Sequence, residues 1–269
     1  MKIMKSNFTK GDHVVVFDNV EFEIYSETNT LISMIPLNDE PKDVFIPSVF
    51  PTGETIDSIG YRFCKDAYLS ITIDDKISEI RNGAFERAHV KKVTWPSSCS
   101  IIPISCFNHS CVEELLNIEH VDEIMGRAFE SSNIKNFKWP KNCKEIPQDC
   151  FSGSNLSSIC GIEDVEDIGH HAFSASLLES FVWPSKCYSM PWACFENCSY
   201  LERIDNVQNI SKISSFALAS LSPSGMFDFS NSAVIEIMPY SFAGVSRDKV
   251  IFPYYMTPEM IESAFSLSE

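Results

Sequence analysis

The chain has 269 residues, 44% of them hydrophobic, and a formal net charge of −16. This is ordinary for a folded chain of one or two domains, and it speaks against nucleic acid and anionic membrane surfaces, because little here would neutralise phosphates. It favours a basic partner or a cation-rich surface.

Met1 to Lys10 has no apolar core of the kind a signal peptide needs. No run reaches the roughly 18 apolar residues of a membrane helix. By sequence the chain is cytoplasmic, unless a leader has been removed or export follows a route that residues alone do not reveal.

Residues 1–55 read as an N-terminal β cap. His13 to Tyr25 alternates and is rich in Val and Phe, with Asp18-Asn19 as the turn of a hairpin. Thr30–Ile35 and Val44–Ile46 are two further strands, separated by a polar turn with Pro36 and Pro41. Such a cap covers the unpaired backbone and the slice of core that a repeat array exposes at its end.

Residues 56–269 carry a repeat. Trp95-Pro96-x-x-Cys99 leads to Ile102-Pro103-x-x-Cys106-Phe107, and the phrase returns at Trp139 and Trp183, 44 residues apart each time. Ile124-x-x-x-Ala128-Phe129 and Ile168-x-x-x-Ala172-Phe173 fill the gaps, so the unit is 22 residues. Phe63, Phe85, Phe107, Phe129, Phe151, Phe173 and Phe195 keep that spacing, which then loosens to Leu218, Phe242 and Phe265. A fixed period in this range marks a solenoid.

Each coil has two apolar segments. One is a short strand such as Val90-x-x-Val93-x-Trp95; the other is the Ile-x-x-x-small-Phe segment, expected to form the opposite wall. Stacking in register, about 4.8 Å per coil, would build a parallel ribbon. Its fourth position is always apolar (Ile71, Val93, Leu115, Phe137, Ile159, Phe181, Ile204). Its sixth alternates Trp95, Asn117, Trp139, Gly161, Trp183, Asn206. Indoles would crowd at one coil's spacing, and each fits above a small neighbour. Beyond Leu218 the pattern degrades, with a loop at Ser222–Gly225 and strand-like Met226–Phe229, Ile235–Ile237 and Val250–Phe252. The sequence stops just past Phe265, which leaves open a last coil acting as cap or a further segment.

Ten cysteines invite a metal or disulfide reading. Cys99, Cys143 and Cys187 share a column with Ile77, Val121 and Val165, and Cys106, Cys150 and Cys194 share one with Ala84, Ala128 and Ala172. Cysteine thus stands in for small apolar residues. Equivalent cysteines two coils apart lie beyond disulfide reach, a bridge within one coil such as Cys99–Cys106 stays open, and so many thiols suit a reducing compartment. His170-His171 would point opposite ways on an extended segment. The acidic run Glu163–Asp167 lacks the oxygen spacing of a calcium loop and reads as a solvated turn around Val165. Asn108, Asn155, Asn197 and Asn209 head glycosylation-type triplets that chance accounts for. No catalytic or nucleotide-binding motif is present.

The phrase Ile-x-x-x-Ala-Phe followed by Leu-x-x-Ile-x-Φ-Pro, clearest in Ile80–Phe85 and Val90–Pro96, resembles the BspA-like leucine-rich repeat. Val16–Ile24 with Phe45–Pro47 is similar to the lead-in of such proteins, so the resemblance covers most of the chain. It implies attachment roles at the surfaces of bacteria or parasitic protozoa, through protein partners. The chain departs from the family in showing no export signal and in using Cys-Phe for Ala-Phe in half of its repeats.

The expected architecture is a curved, right-handed, β-rich leucine-rich-repeat solenoid of about nine coils. The expected function is non-enzymatic protein binding without cofactor, metal, nucleic acid or membrane insertion. The candidate binding face is the outward side of the ribbon: Lys92, Thr94, Glu114, Asn136, Lys138, Ser158, Ser180, Arg203 and Asp205. The alternative is a structural segment of a longer repeat array.

Overall fold

Hydrophobic alternation and the Asp18-Asn19 turn fold the start of the chain. β1 (His13–Phe17) and β2 (Val20–Tyr25) pair antiparallel, and both turn residues take the left-handed conformation that a two-residue hairpin demands. β3 (Thr30–Pro36) adds to β2 on its other side. The structure is a computed structural model that describes residues 13–37, 43–64 and 69–265. The turn expected at Pro41, Met1–Lys10 and the residues after Phe265 lie outside these.

The cap is also the first rung of the solenoid. β3 pairs in parallel with β5 (Ser58–Ile59), and β4 (Asp43–Ile46) pairs in parallel with β6 (Leu69–Ile73). The ladders therefore run across the change in sequence pattern at residue 55. Asp74 clamps the junction: its carboxylate accepts from the Ser48 amide at 3.1 Å and hydroxyl at 2.8 Å, and from the Lys76 amide at 3.0 Å. Burial opposes its charge, but these donors outweigh it and hold its carboxyl below the usual range.

From there about nine coils stack, each with three walls. The ribbon runs on through Val90–Thr94, Glu114–Leu116, Asn136–Lys138, Ser158–Cys160, Ser180–Val182, Arg203–Asp205, Phe227–Asp228 and Val250–Ile251. It is a parallel ladder interrupted after Leu116, Cys160 and Asp205. The next residues there, Asn117, Gly161 and Asn206, have φ of 60°, 79° and 62°. Positive φ ends an extended run, and Asn and Gly bear it best. The alternation with tryptophan thus has a second cause besides ring crowding. The Asn117 and Asn206 amides donate to the Trp95 and Trp183 carbonyls at 2.8 and 2.7 Å. All three indoles are buried and donate to a carbonyl four residues on, at Cys99, Cys143 and Cys187.

The second wall is a ladder of two-residue strands around Ile80, Ile102, Ile124, Ile146, Ile168, Met190, Ile213 and Ile237. It is paired only in groups, broken after Ile80, Ile124 and Ile168. The next coil then presents Pro103, Pro147 or Pro191, which has no N–H to give. Where another residue stands, the bond forms: the Met125, Gly169 and Ser214 amides donate to Ile102, Ile146 and Met190 at 2.9, 2.7 and 3.0 Å. Across the same broken steps the thiols of Cys99, Cys143 and Cys187 donate to the carbonyls of Ile77, Val121 and Val165 at 3.4 to 3.5 Å. These cysteines fill the core, as their columns suggest, and also stitch coils where proline removes the amide bond.

The small-Phe half of each coil is a double turn rather than a strand. Its first left-handed residue falls at Arg62, Gly83, Ser105, Arg127, Asp149, His171, Ala193, Phe216 and Tyr240, and a second follows at Arg87, His109, Ser131, Gly153, Ala175, Asn197, Ser220 and Gly244. Between them the amide of each phenylalanine donates to the next coil, from Phe63 to Ala84 at 3.2 Å through Phe242 to Ala264 at 2.9 Å. Their rings form the core stack, nearly parallel from Phe85 to Phe195 at 5.0 to 5.9 Å between centroids. At the far end α1 (Pro258–Phe265) takes the place of a turn, and Phe265 stacks on Phe242 at 5.5 Å.

Candidate binding surface

Alternation along each ribbon strand turns the central residue toward the core, only partly buried at Leu115 and Ile159, and its neighbours outward. Lys92 and Thr94 flank buried Val93 and are half-buried; Glu114, Asn136, Lys138, Ser158, Ser180, Arg203 and Asp205 are exposed. In-register pairing puts all nine on one face. Several satisfy one another: Lys92 with Glu114 at 3.7 Å, Arg203 with Asp205 at 3.1 Å, and the Ser158 hydroxyl donating to Asn136 at 2.6 Å. Such exposed pairs contribute at most about 1 kcal/mol each, and leave this face nearly neutral.

Sequence reasoning missed the apolar members of that face. Leu116, Cys160 and Val182 occupy the same outward column as Thr94, Lys138 and Asp205, with Phe45 and Ile251 at its ends. Phe45 is 49% exposed and Val182 57%. The period alone would have found them, each lying one residue after a buried ribbon position.

The acidic charge gathers elsewhere, on the outer side of the isoleucine wall. Glu79, Glu123, Glu145, Asp167 and Glu236 face out beside its buried residues, with Ile101, Ser189 and Lys212 in the same column and Lys212 paired to Glu236 at 3.0 Å. Between the coils of Ile124 and Ile146 this wall holds an open groove of about 630 Å³. A smaller one of about 330 Å³ lies by Trp139, Pro140 and Gly161.

The residues singled out for chemistry have structural partners. None of the ten cysteines forms a disulfide, and eight are buried. Burial pushes the Cys106, Cys150 and Cys194 thiols well above their ordinary value, Cys143 and Cys187 up to about 12, and Cys198 up to about 11. The thiolate is the reactive form, so burial disfavours reaction of these groups at neutral pH. Brief iodoacetamide treatment of the native protein is expected to label Cys160, which is exposed, and Cys111 more slowly, while the other eight react only after denaturation. Peptide mass spectrometry checks this, and rapid labelling of Cys150 would contradict it.

The rings of His170 and His171 both pack against Trp192, at 6.3 and 4.3 Å between centroids. Among the described residues no three of His, Cys, Asp and Glu gather as a metal site. Asp164 and Glu166 of the acidic run face Lys186 at 3.0 and 3.8 Å around buried Val165. The Asn108 side chain is buried and donates to Glu130 at 2.6 Å. No helix among the described residues is long and apolar enough to cross a membrane.

A family model described as the BspA type leucine rich repeat region matches six copies across residues 48–157 and 122–249. No curated protein matches the sequence significantly. Among solved structures, a leucine rich cell surface protein from Faecalibacterium prausnitzii superposes with a TM-score of 0.58 at 17% identity, covering 91% of this chain and 78% of that one. The pneumococcal vaccine antigen PcpA aligns with a TM-score of 0.46 at 14% identity, over 88% and 80%. A leucine-rich repeat protein of T. pallidum aligns with a TM-score of 0.43 at 12% identity, over 95% and 97%. At 17% identity the first of these likenesses is one of fold alone.

Proposed function

The chain belongs to the BspA-type leucine-rich repeat family, and from that premise we propose that it is a non-enzymatic scaffold that binds a protein partner through the outward face of its ribbon. The observation that carries this reading is the exposure of Phe45, Leu116, Val182 and Ile251, spaced three coils apart in an outward column that also holds Thr94, Lys138, Cys160 and Asp205. Protein interfaces combine an apolar centre with a polar rim, and a ladder of paired strands holds both without the cost of ordering a loop. The F. prausnitzii neighbour is described as a cell surface protein, which supports an attachment role for this one.

The test is a pull-down from host-surface and cytosolic extracts with wild type and a Leu116→Arg/Val182→Arg variant. One saturable partner, lost in the variant while the melting temperature is kept, is the expected result. A partner held equally by both proteins moves the site off the ribbon.

A further inference from the structure

Pro147 opens the larger groove. The Ile102 and Ile146 carbonyls receive the amides of Met125 and Gly169 at 2.9 and 2.7 Å. The Ile124 carbonyl faces Pro147 in the next coil and gets no such donor. The groove of about 630 Å³ forms at this gap in the ladder. Ile104, Met125 and Pro147 give it apolar sides, and Ile104 is 41% exposed.

Its charges divide into spent and unspent. Arg127 pairs with Asp149 at 3.3 Å and Asp122 accepts from the Asn142 amide at 2.8 Å, while Lys144 donates only to the neutral Lys141 carbonyl, at 3.1 Å, and keeps its charge. Glu123 and Glu145 line the rim, exposed, and neither has an ion pair or side-chain hydrogen bond among the described residues. Four carboxylates in the lining, Asp122, Glu123, Glu145 and Asp149, outnumber the two cations Arg127 and Lys144, so the groove is net acidic beside its apolar walls.

We propose that this groove docks a cationic segment of a protein partner. A lysine or arginine side chain lies along Ile104, Met125 and Pro147 and places its charged end between Glu123 and Glu145. Long basic side chains carry an aliphatic stem and a donor-only head, which is the complement of what the groove offers. Asp167 extends the acidic column by one coil, Ile101 separates it from Glu79 on the other side, and the net charge of −16 draws cations toward it. The same charge disfavours a second copy of this chain as occupant. The surface is separate from the ribbon, so it stands or falls independently of the ribbon reading.

Fluorescence anisotropy with a labelled peptide of four Lys-Thr-Val repeats, at low salt, tests the proposal. The Glu-Thr-Val counterpart is expected not to bind. Glu123→Lys/Glu145→Lys is expected to weaken binding at least tenfold. Pro147→Ala keeps both carboxylates but returns an N–H to the ladder and narrows the groove, and is expected to weaken binding at least fivefold. Glu259→Lys/Glu262→Lys makes the same charge change on α1 and is expected to stay within twofold of wild type. If a groove variant melts early, Glu123→Gln/Glu145→Gln replaces it. Equal losses in the groove and α1 variants would mean diffuse attraction and overturn the proposal. Unchanged binding by Pro147→Ala would overturn it too, as would spermine competing as well as the peptide at equal charge.

Discussion

Phe151→Ala is expected to destabilise the protein by about 3–5 kcal/mol, the range for removing a buried aromatic side chain. Phe151 is fully buried midway along the stack. It lies 5.2 Å from Phe129 and 5.9 Å from Phe173, nearly parallel to both, and meets Phe137 and Trp139 edge-on at 5.3 and 6.2 Å. Its amide donates to Ala172 at 2.8 Å, and alanine keeps that bond. The loss is therefore packing alone, and backbone shift to fill the space is resisted by coils tied above and below. In a solenoid each coil touches only its neighbours, so hydrogen exchange should accelerate first between residues 129 and 173. Phe265→Ala in the last described coil, where the ring is only partly buried, is expected to cost about 1–2 kcal/mol. Urea unfolding of both variants measures the contrast. A loss below about 1 kcal/mol for Phe151→Ala would mean that the stack does not hold the coils together.

The stack was legible because phenylalanine recurs at one phase and a buried column tolerates few substitutes. The outward positions of the ribbon were legible for the same geometric reason, although only the polar ones, from Lys92 to Asp205, were read as surface. Leu116 and Val182 were passed over because exposed apolar residues look like core when chemistry rather than phase is followed. The left-handed columns were hidden. Arg62, Ser105, Asp149, Ala193 and Phe216 share a backbone conformation but no side-chain chemistry, and glycine marks the first column only at Gly83 and the second only at Gly153 and Gly244. There the ladder of coil-to-coil hydrogen bonds sets the conformation and overrides residue preference. The three prolines stood in plain view as a period. What they do became visible only with the partner strand beside them, because a missing donor matters only where a neighbour's carbonyl waits for it. The acidic groove follows from that gap and was invisible for the same reason.

Gly169→Ala should have the second large effect, about 2–3 kcal/mol by over-packing. Gly169 has no left-handed backbone, so conformational freedom does not explain it. Close approach does. A methyl group there would lie 2.4 Å from the Gln148 nitrogen, 2.8 Å from its Cα and 2.8 Å from the Pro147 carbonyl carbon. These are backbone atoms of the coil before, and no side chain can swing aside to relieve the contact. The Gly169 amide bond to Ile146, at 2.7 Å, holds the two coils at that distance. Relief therefore requires breaking that amide bond, which pairs this doublet together with the Glu166 and Asp167 amide bonds to the Lys144 carbonyl, beside a step that Pro147 has already opened on its other side. Gly126 tests the logic: it lies one coil before Gln148, and a methyl group there would come only to 3.4 Å of the Gln148 carbonyl oxygen. Gly126→Ala should shift stability by less than about 1 kcal/mol, while Gly169→Ala lowers the melting midpoint by several degrees. Equal behaviour of the two glycines would show that the coils slide apart freely at Pro147, and that the pairing in doublets adds nothing to stability.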